Sequence, residues 1–221
     1  MRITSLIAAA VLTVMAGVAT AAVSFTIDGA AMWNGYMNVL DLGGVFQWGS
    51  GWGVADLCAV YSDGGATVTC SPNNINDIAA YWYTIVPGAT NGNKIMEGNV
   101  YAEPATGLYN GATIVFAGSV TSFTLSNSHT LVAFIKDFAP DYSSFVDQSV
   151  AITSTGNFSI NLATINDPTR HVQWGLQIKG VDVWITDAAP FGNAVIKAIP
   201  EPATMMLAGI GVIGMLAARR K

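Results

Sequence analysis

The sequence predicts an all-β protein, an antiparallel β-sandwich of jelly-roll-like topology, flanked by an N-terminal signal helix and a C-terminal transmembrane helix. Three observations predict it. Apolar residues between positions 22 and 197 recur with period two over short runs, those runs are separated by clusters of Gly, Asn, Asp, Ser and Pro, and no interior stretch keeps an amphipathic helical period for three turns. Half-buried strands punctuated in this way pack as two sheets.

Residues 1–21 form a secretory signal peptide. Met1-Arg2 supplies a positive charge, and Ile3 to Val18 is an apolar run broken only by Thr4, Ser5 and Thr13. Ala19-Thr20-Ala21 then offers the small residues that signal peptidase reads. The body, residues 22–197, is long enough for one domain with a full-sized core, and no repeat or linker divides it. Its alternation is plainest in Val23, Phe25 and Ile27, in Leu131, Ala133 and Ile135, and in Phe158, Ile160 and Leu162.

Two hairpins follow from finer spacing. A three-residue loop Asp63-Gly64-Gly65 places Cys58 opposite Cys70, within reach of a disulfide once the chain is in an oxidising compartment. A two-residue turn at Lys179-Gly180 pairs Ile178 with Val181, so that Val172, Trp174, Leu176 and Ile178 share a face with Val183 and Ile185. Trp184 then falls on the other face, with Gln173, Gln177 and Asp182.

Charge narrows the partners. Lys94, Lys136, Arg170, Lys179 and Lys197 stand against thirteen carboxylates in the body, a net charge of about −8. An acidic surface of this kind repels nucleic acid and anionic lipid. It tolerates Ca2+ and neutral glycans. No resident cofactor and no metal centre are expected, since the two histidines, His129 and His171, are isolated and the two cysteines form no C-x-x-C. The acidic stretch Lys136 to Tyr142 fits either a Ca2+ site built from carboxylate and backbone oxygens or a solvated loop with local Asx turns.

No catalytic residues are assigned, because there is no G-x-S-x-G elbow and any choice of a glycosidase pair among Asp28, Asp41, Asp56, Glu97, Glu103, Asp137 and Asp141 is arbitrary. The chain is not expected to be an enzyme. Trp33, Trp48 and Trp52 sit among Gly, Asn and Ser and fit two readings. Exposed, they form a glycan platform, since an indole face packs on sugar C–H groups and its edge donates a hydrogen bond. Buried, they fill the space that glycine leaves.

Residues 198–221 close the chain with Pro200-Glu201-Pro202, a nearly uncharged run from Ala203 to Ala218, and Arg219-Arg220-Lys221. The two prolines stop any helix of the body from running on into the tail. Residues 203–218 span about 24 Å as a helix, short for a roughly 30 Å hydrocarbon core. The basic cluster stays on the cytoplasmic side, with Glu201 and all before it outside. A plain tail anchor shares this pattern. The three parts in this order resemble the PEP-CTERM sorting signal of Gram-negative bacteria that make extracellular polysaccharide. The resemblance implies recognition and processing by an exosortase, a transient stay in the inner membrane, and delivery to the cell surface or extracellular matrix. Asn93 to Met96 and Phe134 to Asp141 are also similar to modules of secreted proteins that carry this tail, a likeness that supplies no ligand residues.

The reading that results is an exported structural or adhesive component of the exopolysaccharide matrix. A carbohydrate-binding module using Trp33, Trp48 and Trp52, and a secreted glycan hydrolase, are the alternatives.

Overall fold

A computed structural model describes residues 22–199. The expected signal peptide 1–21 and the expected transmembrane segment 203–218, with Pro200, Glu201, Pro202, Arg219, Arg220 and Lys221, lie outside the described residues. What is described is almost wholly strand, joined by turns and three single 3-10 turns.

One sheet carries, in order, β13 (Gly156–Ala163), β10 (Thr113–Phe123), β16 (Ala194–Lys197), β5 (Thr67–Cys70) and β4 (Ala59–Ser62). Its short strand β1 (Val23–Phe25) lies parallel to the first half of β10, on the stretch that β16 leaves unpaired. The second sheet is antiparallel throughout and runs β12 (Phe145–Ile152), β11 (His129–Phe138), β14 (His171–Val181), β9 (Lys94–Ala102), β2 (Asn34–Asp41) and β3 (Phe46–Gly51). Two small ribbons complete the strands. They are the parallel pair β6 (Asn74–Ile75) with β15 (Val183–Trp184) and the hairpin β7 (Tyr83–Val86) with β8 (Ala89–Gly92).

The inner faces of the two large sheets meet in one core. Ile114, Phe116, Val68 and Ile196 come from the first, and Met37, Met96, Leu131, Ile135 and Leu176 from the second. Each such side chain contributes about 1.5 to 3 kcal/mol over leaving it in water. Phe25 stacks on Trp174 with ring centroids 3.8 Å apart, a contact from one sheet to the other. The alternation read in the sequence survives here: Leu131, Ala133 and Ile135 are all buried, as are Phe158 and Ile160.

Three expectations are corrected. Lys179-Gly180 is not a turn, because β14 runs through it and Ile178 pairs with Gly98 and Leu131 rather than Val181. Gly180 answers a packing demand: a Cβ there would overlap the ring of His129. Cys58 and Cys70 do not face each other. Ala59 pairs with Cys70, Ser71 donates to the Cys58 carbonyl at 3.1 Å, and both thiols are free. Ala66 is the cause, since its N–H closes the Asp63 turn at 3.3 Å and the loop takes four residues where three were expected. The sheets are also not purely antiparallel, as β1 and β6 each find a parallel neighbour.

Of the two readings of Lys136 to Tyr142, the geometry favours the loop with local Asx turns over the Ca2+ site. Asp137 is 0 % exposed, its Oδ1 accepting from Arg170 Nε at 2.8 Å and its Oδ2 from the Ile165 N–H at 2.7 Å. Asp141 instead accepts from the Ser143 N–H and hydroxyl, a local Asx turn.

Candidate functional site

The residues that gather into a site are the ones the core rejects. Along β9, Met96, Gly98, Val100 and Ala102 turn inward, so Glu97, Asn99 and Tyr101 turn out, with Glu103 just past the strand end. By the same period β14 presents Gln173, Gly175, Gln177 and Lys179, and β2 presents Tyr36 and Asn38. Antiparallel register then sets these side chains in rows. Gln177 lies opposite Asn99 and Asn99 opposite Tyr36, while Lys179, Glu97 and Asn38 form the next row. The rows are bonded across: Gln177 Nε2 donates to Asn99 Oδ1 at 2.9 Å, and Asn38 Nδ2 and Lys179 Nζ each donate to Glu97 at 3.0 Å.

Over part of this face lies an open cleft of about 600 Å3, lined by the outward residues of β2 and β9, by Glu103 and Gln173, and by Lys136, Phe138, Tyr142 and Phe145. That volume is within the range that takes small ligands. Two glycines shape its floor. A Cβ on Gly175 would overlap the Val100 carbonyl and come within 2.7 Å of Tyr101 Cβ, so glycine lets β14 and Tyr101 pack closely. On Gly49 it would stand 2.9 Å from the Tyr36 ring, which lies diagonally across β3. The floor therefore offers flat aromatic surface beside amides and carboxylates.

One end of the cleft is walled. Phe145, Phe138 and His171 form the last row of β12, β11 and β14. Tyr142 leans over it, stacked on His171 at 4.5 Å and tilted against Phe138 at 5.4 Å. Its backbone is held in the left-handed region, φ 57°, and its phenol donates to Glu103 Oε1. Burial, and then Glu103, raise the phenol's pKa, so it stays a donor. Glu103 also accepts from Gln173 Nε2 at 2.6 Å and lies 3.2 Å from His171 Nδ1. Lys136 stretches along the wall with its ammonium 4.6 Å from the Phe134 centroid. Burial lowers its pKa, against the attraction of Glu97 and Asp147.

The structure does not assemble the three tryptophans proposed as a platform. Trp33 stands 67 % exposed before β2. Trp48, opposite the buried Val39, packs against the core with its indole N–H donating to Tyr81 at 2.7 Å, and Trp52 packs there too, bonded to Ser50. Trp48 lies on the inner side of β3 and Trp52 just past its end, and both pack against the core, so these two fill space. Trp184 rests edge-on against Tyr83, with ring centroids 5.2 Å apart. His129 is a satisfied core residue, its Nε2–H donating to the Val181 carbonyl, while burial lowers its pKa. Glu97 and Glu103 are six residues apart on one outward face, about 20 Å of extended chain. A glycosidase pair needs about 5 to 9.5 Å. Among the described residues no three of His, Cys, Asp and Glu cluster as metal ligands.

Sequence reasoning turned Gln173 and Gln177 outward but missed Tyr36, Asn38, Asn99 and Tyr101. The signal was there, as polar or aromatic residues alternating with the buried set. What it lacked was the list of neighbouring strands.

Fold and site together define a two-sheet β-sandwich with a polar, aromatic-lined cleft on the outer face of one sheet. Residues 198–221 match the PEP-CTERM protein-sorting motif, so the chain carries that signal. The motif implies processing by exosortase and export, with a surface or transiently membrane-held location. No curated protein matches the sequence significantly. A solved structure from a study of the promiscuous specificity of carbohydrate-binding modules of the β-sandwich superfamily is similar at 15 % identity. The match covers 74 % of this chain and 70 % of that one, with a TM-score of 0.32.

Proposed function

We propose that this protein is a non-enzymatic component of the exopolysaccharide matrix whose β-sandwich holds glycan chains in the cleft on the second sheet. The observation that carries the reading is the composition of that cleft. Tyr36 and Tyr101 give apolar faces for sugar C–H groups, while Asn38, Asn99, Gln173 and the two glutamates give hydrogen-bond partners for hydroxyls. In this reading the tyrosines take the part that Trp33, Trp48 and Trp52 were expected to play. Exosortase processing at Pro200-Glu201-Pro202 frees the body from its transient anchor, and glycan binding then keeps it in the matrix.

Calorimetric titration of the exported protein with neutral linear polysaccharides is the test. Tyr36→Ala and Tyr101→Ala are each expected to weaken binding about tenfold or more, the loss of one desolvated aromatic contact. Absence of binding across a glucan, mannan and galactan panel, or full affinity in both variants, defeats the proposal. Release of new reducing ends during incubation would favour the hydrolase instead.

A further inference from the structure

The cleft is asymmetric along the strands. At the Glu103 end the aromatic wall of Phe145, Phe138 and Tyr142 rises over the floor, and at the other end the lining finishes with Asn38 and Glu97, where no such wall is built. We propose that the cleft takes the terminus of an uncharged polysaccharide chain, not a stretch of its interior, and that Tyr142 is the residue that imposes this choice. The proposal rests on the glycan reading above and adds which part of the glycan is read.

The hydrogen-bond inventory gives the chemistry. Glu97 and Glu103 accept only, and each already faces two or more protein donors. What they have left suits a hydroxyl, which brings a donor without a charge. A polymer bearing carboxylates or sulfates would set its anions beside both glutamates, two negative charges against the one ammonium of Lys136 in the lining. The end of a chain differs from its interior by one free hydroxyl where the next sugar would be joined. At the walled end that hydroxyl meets Glu103, and a further sugar would meet the Tyr142 ring. A hydrogen bond to a charged acceptor, present for the end and absent for the interior, amounts to about tenfold or more in affinity.

Tyr142 is fixed for this part from two sides. Its phenol is tied to Glu103 and its ring is stacked on His171, while its loop is braced by the Asp141 to Ser143 turn and by Ala139 N–H donating to the Ser144 carbonyl at 2.8 Å.

The test counts binding sites per mass of polymer. A linear neutral glucan, mannan and galactan are titrated into the exported protein, each intact and after partial acid fragmentation, at equal mass. For whichever polymer binds, the sites per mass are expected to rise in proportion to chain ends at unchanged affinity per end, and a uronic-acid polymer is expected not to bind. Tyr142→Ala is expected to raise the sites per mass of the intact polymer and to weaken short fragments about tenfold. Sites that follow polymer mass whatever the number of ends overturn the terminus reading and leave the glycan reading standing. Binding of the uronic-acid polymer overturns the charge argument. If no polymer or fragment binds, both readings fall. Should Tyr142→Ala fail to fold, the wild-type count decides alone.

Discussion

Asp137 and Asp182 are the two carboxylates that folding buries, and they are handled in opposite ways. Asp137 is paired with Arg170, which also donates to the Asp137 carbonyl at 2.6 Å, so the charge is held by donors on every side. Asp137→Ala leaves Arg170 facing a buried void and is expected to cost about 3 to 5 kcal/mol in urea unfolding. Asp182 has no cation bonded to it: Oδ1 accepts from the Lys94 N–H, and Oδ2 is buried without a hydrogen-bond partner among the described residues. Burial pushes its pKa up to about 6, against the pull of its backbone donors and Lys94. The folded state therefore binds a proton more tightly than the unfolded chain, whose carboxyl titrates near 4. That contribution is complete below about pH 4 and is lost as pH rises to about 6, at most about 3 kcal/mol. Comparing wild type with Asp182→Asn at several pH values isolates it, and an equal slope in both proteins would refute the assignment.

Among the elements, β9 and β14 bear the greatest demand, since the same two central strands supply core on one side and cleft floor on the other. Gly175→Ala puts a methyl into the Val100 carbonyl and against Tyr101, so it must part β14 from β9. The expected result is a loss of about 2 kcal/mol or more in thermal unfolding, together with weakened glycan binding. The legible and illegible parts of the fold also separate at this scale. Leu131, Ala133 and Ile135 declared their strand and their buried face, because burial on one side imposes period two. That same period is blind to neighbours. Gly180 looked like half of a turn, yet it sits in mid-strand to admit the His129 ring, and that ring arrives from a position fifty-one residues earlier in the chain. Cys58 and Cys70 missed each other by one residue because Ala66 spent itself closing a 3-10 turn, a local geometry that composition does not specify.

For the whole molecule, the body and its address are separable claims with separate measurements. Intact-mass analysis of the exported protein is expected to give a C-terminus near Pro200 or Glu201, and a full-length tail ending at Lys221 would favour the plain anchor. Export and sorting were written in the sequence alone, because the PEP-CTERM motif that implies them is one short contiguous stretch. So was the all-β class, because alternation is local. Which residues would share the outer face was decided only by tertiary structure. Tyr36, Glu97, Glu103, Tyr142 and Gln173 come from four separate segments of the chain. They meet because antiparallel register brings β2, β9 and β14 side by side while the core, claiming every second residue, leaves the others to face one cleft.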